Sequence, residues 1–155
     1  MSTEAEIAEQ VVTALEDHQR RTVEILRDEG GDPEAVIKSL VRLHLEWTEE
    51  DPERARTVSR HRNAVAAGPL GERLAASNRE WFATMKAWID AQAGSGAIET
   101  VSFNLLHAVV FAPTQEISKL WLAGRLKRPL GSYAPALGEA AWAAVAALPA
   151  RAAES

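Results

Sequence analysis

Apolar residues recur at intervals of three and four along nearly the whole of this 155-residue chain. That spacing places them on one face of an α-helix, whereas a half-buried strand needs a sustained alternation of apolar and polar residues, which the sequence lacks. The sequence therefore predicts an all-α protein. A chain of this length is long enough for one sizeable core, so we expect a single domain over residues 1–148, followed by a polar tail over residues 149–155.

Start and stop signals divide the chain into six predicted helices. Asp32-Pro33 and Asp51-Pro52 each offer a carboxylate that can cap free backbone N–H groups, followed by a proline at the first helical position, where its missing donor costs nothing. Gly30-Gly31 and Gly68-Pro69 mark breaks between helices. The predicted helices cover about residues 4–29, 33–49, 52–66, 69–93, 100–125 and 130–148.

Two of these helices carry further signals. The second is apolar on nearly every side between Leu40 and Trp47, which predicts a central helix that is packed from several directions. The fifth contains Pro113, which has no N–H for the carbonyl of Val109, and we expect a kink there.

Composition excludes several classes of protein. The net charge of −5 disfavours a large phosphate-binding surface, so we expect no direct contact with nucleic acid. The absence of cysteine excludes disulfides, thiolate zinc sites and cysteine nucleophiles. No apolar run is long enough to cross a membrane, and the acidic amino terminus lacks the features of a secretory signal, so we expect a cytoplasmic protein without a membrane partner.

Motifs for catalysis or metal binding are not found. No histidine follows a glutamate by three residues, as in helical di-iron sites, and no two histidines are spaced as zinc ligands on one helix. Neither a nucleophile elbow nor a phosphate-binding glycine loop occurs, and Gly94-Ser95-Gly96 is interpreted as a linker. The carboxylates of Glu46, Glu49, Glu50 and Asp51 are interpreted as a solvated cluster at a helix end. We therefore expect no catalytic residue, no metal and no cofactor.

Polar residues lie on or beside several apolar stripes. Burying such a group without a partner costs about 1–3 kcal/mol, so each should find a protein group, a water or a ligand. Hydrogen bonds within an ordinary core would satisfy them, and the aromatic residues on the same faces would then be plain core. A mostly apolar wall with a few polar groups is also how small-molecule pockets are made. The polar residues concerned are His18, Thr22, His44, Asn78, Asn104, His107 and Gln115.

Small residues characterise the sixth predicted helix. They permit the close approach of another helix, so this helix is either a cap on the core or part of a dimer surface. The small residues concerned are Ala134, Gly138, Ala141 and Ala144.

Several short sequence pieces, taken in their order over about residues 35–148, resemble the regulatory domain of the TetR family of transcriptional regulators. The resemblance implies an all-helical, six-helix domain whose early helices enclose a pocket for a small organic effector. It also implies that the last two helices pair with those of a second copy as a dimeric four-helix bundle. The pieces are Leu43-His44-Leu45-Glu46-Trp47, Asp51-Pro52-Glu53, Gly68-Pro69-Leu70, Ala112-Pro113-Thr114-Gln115-Glu116, Leu120-Trp121-Leu122-Ala123-Gly124-Arg125 and Ala140-Ala141-Trp142.

By position, the resemblance assigns residues to the pocket and to the interface between subunits of a homodimer. The pocket residues are His18, Thr22, His44, Trp47, Asn78, Trp81, Met85, Trp88, Phe103, His107 and Phe111. The interface residues are Glu116, Ile117, Leu120, Trp121, Tyr133, Leu137, Ala141, Ala144 and Val145.

The chain departs from the family in one large respect, because only Met1-Ser2-Thr3 precede the first predicted helix, where family members carry a helix-turn-helix domain. We therefore expect a sensing and dimerising domain that does not itself read DNA. It would be an excised or shortened regulator, a stand-alone sensor, or a dimerisation module that antagonises a full-length regulator. A small helical enzyme with His44 or His107 as general base is the alternative from another class.

Overall fold

The structure is a computed structural model that describes residues 3–95 and 103–148. Every regular element in these ranges is helical, which confirms the predicted all-α fold. None of the helices found there has the length and apolar character needed to cross a membrane. The predicted polar tail over residues 149–155 and the predicted start of the fifth helix lie outside the described residues.

The helices begin and end close to the predicted positions. The side chain of Asp32 accepts a hydrogen bond from the backbone N–H of Ala35 at 3.2 Å, and Asp51 does the same for Arg54 at 3.1 Å. Both predicted caps are therefore confirmed. The elements are α1 (Glu4–Glu29), α2 (Pro33–Glu50), α3 (Pro52–Ala66), α4 (Gly71–Ser95), α5 (Phe103–Leu106), a π turn (His107–Phe111), α6 (Ala112–Leu122), a 3-10 turn (Leu130–Tyr133) and α7 (Ala134–Ala147).

The fifth predicted helix passes Pro113 by means of the π turn. At its end the N–H of Ala112 donates to the carbonyl of His107, five residues earlier, instead of four. The ring of a proline crowds the carbonyl four residues before it, and a wider turn relieves that crowding. Thr114 then donates a hydrogen bond from its hydroxyl to the carbonyl of Val110 at 3.0 Å, which satisfies a backbone acceptor within the turn.

Helix α2 is the central helix, as its sequence predicted. It contacts α1, α3, α6 and α7. Its side chains contribute to two clusters of buried residues, which we call the first and second cores. The first core joins α2 to α4, the π turn and α7, and includes Leu40, Val41, Leu45, Met85, Leu106, Val110, Ala141 and Val145. The second core joins α1, α3, the end of α2 and the start of α4, and includes Val11, Val12, Leu15, Trp47, Val58 and Leu74.

Helix α7 packs along α2 at close range. A Cβ atom on Gly138 would lie 3.3 Å from the Cγ of Lys38, so the glycine allows the approach. The ammonium group of Lys38 binds the carboxylate of Glu139 at 2.6 Å from the other side of the contact. The small residues of this helix therefore serve packing within the chain.

Two residues assigned to the dimer interface are buried in the chain's own first core. Ala141 and Val145 are each 3% exposed, because the face of α7 that carries them is the face against α2. In this structure they therefore do not lie on a surface open to another copy. Among the other assigned residues, Glu116 is exposed, and Ile117, Leu120, Trp121, Tyr133, Leu137 and Ala144 are partly buried. The exposed face of α7 instead carries Pro135, Ala136, Glu139, Ala140, Ala143, Ala146 and Ala147.

The carboxylate of Glu49 joins the end of α2 to the start of the 3-10 turn. It accepts hydrogen bonds from the backbone N–H groups of Leu130 at 2.6 Å and Gly131 at 3.3 Å. Glu50 pairs with Arg21 of α1 at 2.9 Å. The acidic cluster predicted as a solvated face therefore connects helices as well.

We predict that Glu49→Ala lowers the free energy of unfolding by about 1–2 kcal/mol, since it leaves two partly buried N–H groups without their acceptor. Glu46→Ala is the matched control, because Glu46 lies on the same helix with an exposed side chain. Urea unfolding of both variants measures the difference. Equal stabilities would show that the carboxylate does not hold the turn.

Candidate ligand-binding cavity

A cavity of about 550 Å³ lies where α1, α2, α3, α4, the π turn and α6 meet. Its volume is within the range of small-molecule sites, about 300–1,000 Å³. The wall takes side chains from both cores: Leu15, Trp47 and Val58 belong to the second, whereas Leu40 and Val41 belong to the first. The cavity therefore lies between the two cores.

A contact between two histidines forms part of this wall. The Nε2 of His18 on α1 lies 3.2 Å from the Nδ1 of His44 on α2. The ring of His18 also meets the indole of Trp47 edge to face, with centroids 5.1 Å apart. Residues far apart in the sequence are thus brought together because α1 and α2 present these faces to each other.

The histidine pair has a fixed hydrogen-bonding character. A neutral imidazole carries one N–H donor and one acceptor nitrogen. Whichever ring donates across the contact, the two remaining nitrogens are therefore one donor and one acceptor. Within the described ranges, neither His18 nor His44 has a second hydrogen-bond partner on its ring. The pair can thus offer a ligand one donor and one acceptor.

Burial keeps both rings uncharged. It lowers the pKa of His18 to about 3, with the charge of His44 adding to the effect, and it lowers the pKa of His44 to about 4. Two imidazolium ions at this distance would repel each other in a poorly solvated site. At neutral pH the contact is therefore a hydrogen bond between two neutral rings.

Trp47 is held on its other side by Arg54 of α3. The guanidinium carbon of Arg54 lies 4.4 Å from the centroid of the indole, and the same side chain donates to the carbonyl of Trp47 at 3.0 Å. Trp47 itself is 3% exposed. Its ring is therefore a fixed part of the wall.

Aromatic rings form another part of the wall. Trp81 of α4 meets Phe111 of the π turn with ring centroids 5.9 Å apart, and His107 lies 5.8 Å from Phe111. Phe82, the next residue on α4, also lines the cavity although its side chain is 41% exposed. This part of the wall therefore reaches the protein surface.

Neutral polar groups complete the lining. Gln19 donates to the side-chain oxygen of Asn78 at 3.0 Å and accepts from the hydroxyl of Ser77, so that its amide joins α1 to α4. Thr114 and Gln115 reach the cavity from the first turn of α6. These groups can hydrogen-bond a ligand without adding charge.

Seven of the eleven predicted pocket residues line this cavity. They are His18, His44, Trp47, Asn78, Trp81, His107 and Phe111. The remaining four do not line it, because they lie on the predicted faces but one or more turns away. Thr22 donates to the carbonyl of His18, Met85 is fully buried in the first core, Trp88 donates its indole N–H to the carbonyl of Gly30, and Phe103 packs on Trp81 and Phe82 outside the lining.

Ten lining residues were missed. Spacing gave a signal for several of them, because they lie three or four residues from a predicted pocket residue: Leu15 precedes His18 by three, Leu40 precedes His44 by four, and Gln115 follows Phe111 by four. The ten are Leu15, Gln19, Leu40, Val41, Val58, Arg62, Arg79, Phe82, Thr114 and Gln115.

The lining contains no cysteine, aspartate or glutamate. In the part of the chain that the structure describes, no three or more His, Cys, Asp or Glu side chains come together as metal ligands would. The arrangement suits the binding of an organic molecule between aromatic rings.

We predict that the histidine pair makes the protein less stable as the pH falls from 7 to 5. The folded pKa values of about 3 and 4 lie below the ordinary value near 6.5, so in this range the unfolded chain takes up protons that the folded chain does not. Each histidine should cost up to about 2 kcal/mol of unfolding free energy over this interval. Urea unfolding at the two pH values measures the loss.

The double variant His18→Gln/His44→Gln should lose markedly less stability over the same interval, since amides do not titrate. His61→Gln, on α3 and outside the cavity lining, is the control and should behave as the unaltered protein does. Identical losses in the double variant and the unaltered protein would contradict the prediction.

No model of a known protein family matches this sequence. A search of curated proteins also finds no significant match. The similarity to TetR-type regulatory domains therefore rests on the sequence pieces given above.

Proposed function

We propose that this chain is an effector-sensing, homodimerising regulatory domain of TetR type, which binds a small organic molecule in the cavity between its two cores. The cavity itself is the observation that carries the proposal. Most of its wall surface is hydrocarbon and aromatic, and four of its polar side chains are joined in pairs by hydrogen bonds, His18 with His44 and Gln19 with Asn78. Sites for small organic ligands have this composition.

Two of the elements around the cavity also contact α7. Helix α2 supplies Val41 and His44 to the wall and packs along α7 on another side. The π turn supplies His107 and Phe111 to the wall and also contacts α7. A ligand that favours one arrangement of these elements would thereby favour one placement of α7, which is what an effector-controlled dimer requires.

The exposed face of α7 supports pairing with a second copy. Glu139 is its one charged residue, and that carboxylate is already paired with Lys38. The rest of the face consists of alanines and a proline, which another helix can approach closely. A surface of this kind fits the same face of a symmetry-related copy better than it fits solvent.

Catalysis in the same cavity is a second candidate function, favoured by the placement of His44 and His107 in the lining. A general base works best when its pKa is close to the operating pH. The pKa of about 4 for His44 makes it a weak base at neutral pH. This supports binding over proton transfer at His44.

We predict that phenylnaphthylamine, a neutral fluorescent probe of apolar sites, binds the cavity. Trp81→Ala and His107→Ala should each weaken its binding at least about fivefold, because each removes a ring from the wall. Trp142→Ala and His61→Ala are matched controls outside the lining and should leave the affinity unchanged. Fluorescence titration measures the affinities, and circular dichroism shows that each variant is folded. Equal affinities for all four variants would refute the proposed pocket.

We predict that the protein is a dimer at high micromolar concentration and that Ala140→Glu converts it to a monomer, because the new charge would be desolvated between two α7 helices. Ala83→Glu, an exposed alanine on α4, is the matched control and should remain dimeric. Light scattering gives the mass. A monomer for the unaltered protein would remove the dimer from the proposed function.

A further inference from the structure

The charged residues that line the cavity are all of one sign. They are Arg62 of α3 and Arg79 of α4, and no aspartate or glutamate is among the lining residues. This contrasts with the chain as a whole, whose net charge is −5. The cavity is therefore a positive site in an acidic protein.

Neither guanidinium is firmly neutralised by the protein. Arg62 is exposed and forms no ion pair with another described residue. Arg79 pairs with Glu72 at 2.9 Å, but both side chains are largely exposed, and such pairs contribute little. Both charges are thus available to an anion at the mouth of the cavity.

The deeper lining carries no charge to compete with them. His18 and His44 bind each other as neutral rings, and Gln19 and Asn78 are joined through their amides. Leu40 is 2% exposed and closes the wall with hydrocarbon. The interior therefore favours an apolar body with a few hydrogen-bonding atoms.

A cationic ligand fits this site poorly. Aromatic walls can hold a cation over a ring face, but the ring of Trp47 already carries the guanidinium of Arg54 at 4.4 Å. A second positive charge would also be repelled by Arg62 and Arg79. The charges therefore select between ligand classes that the aromatic rings alone would accept.

We propose that the ligand is an organic acid, whose anionic group is attracted by Arg62 and Arg79 and whose apolar body lies against the aromatic rings of Trp81 and Phe111. This inference rests on the proposed function and names the class of molecule bound. A guanidinium recognises a carboxylate or sulfonate through charge-assisted hydrogen bonds, and the positive charge of the lining favours an acid over its neutral analogue.

A pair of fluorescent probes tests the inference. Anilinonaphthalene sulfonate is phenylnaphthylamine with one sulfonate added, so the two probes share an apolar body and differ in charge. We expect the sulfonate to bind about tenfold more tightly, and its advantage to shrink as salt is added. In Arg62→Gln/Arg79→Gln the advantage of the sulfonate over the neutral probe should disappear.

Arg60→Gln is the matched control, because Arg60 is an exposed arginine of α3 outside this cavity. It should keep the full preference for the sulfonate. Equal binding of the two probes to the unaltered protein, with the neutral probe still sensitive to Trp81→Ala, would overturn the acid as ligand and leave the proposed function standing. A preference for the sulfonate that survives in the double variant would also overturn it. If neither probe responds to Trp81→Ala, both the proposed function and this inference fail.

Discussion

The packing of α2 on several sides is the constraint on which the rest of the structure depends. Ile37, Leu40 and Leu45 are at most 2% exposed, and burying an aliphatic side chain of this kind contributes about 1.5–3 kcal/mol. The same helix supplies wall residues to the cavity and the surface on which α7 lies. The cavity and α7 therefore both depend on α2, although they contact different sides of it.

Local chemistry made the helices predictable. The caps at Asp32 and Asp51 act within one turn, so the sequence contains everything needed to place them. Because α2 is apolar on nearly every side, its sequence likewise predicted a central helix. The π turn before Pro113 could not be predicted in the same way, since proline requires only that the helix adjust, and surrounding packing selects how. The orientation of α7 also depends on a distant contact, between Gly138 and Lys38.

The sequence could indicate which helix faces line the cavity, but not at which positions along each helix the cavity lies. A helical stripe gives the side of the helix on which a residue lies, and together with the family resemblance it led to the prediction that His18, His44 and Trp81 line a pocket, as they do here. It does not tell where along the helix axis the neighbouring helices diverge. Thr22 and Trp88 share stripes with wall residues, yet at their levels the helices are close, and both are buried with backbone acceptors.

The position of the cavity between two cores bears on how a bound molecule could act under the proposed function. A ligand can shift a conformational equilibrium only by as much as it binds one arrangement better than another. Here it would contact Leu15, Trp47 and Val58 from one core and Leu40 and Val41 from the other, so its contacts depend on how the cores sit relative to each other. Because α7 packs only in the first core and α3 only in the second, a change in that relation would move α7 with respect to α3. A ligand that contacted one core alone would not have this effect, since its contacts would be the same whatever the position of that core relative to the other.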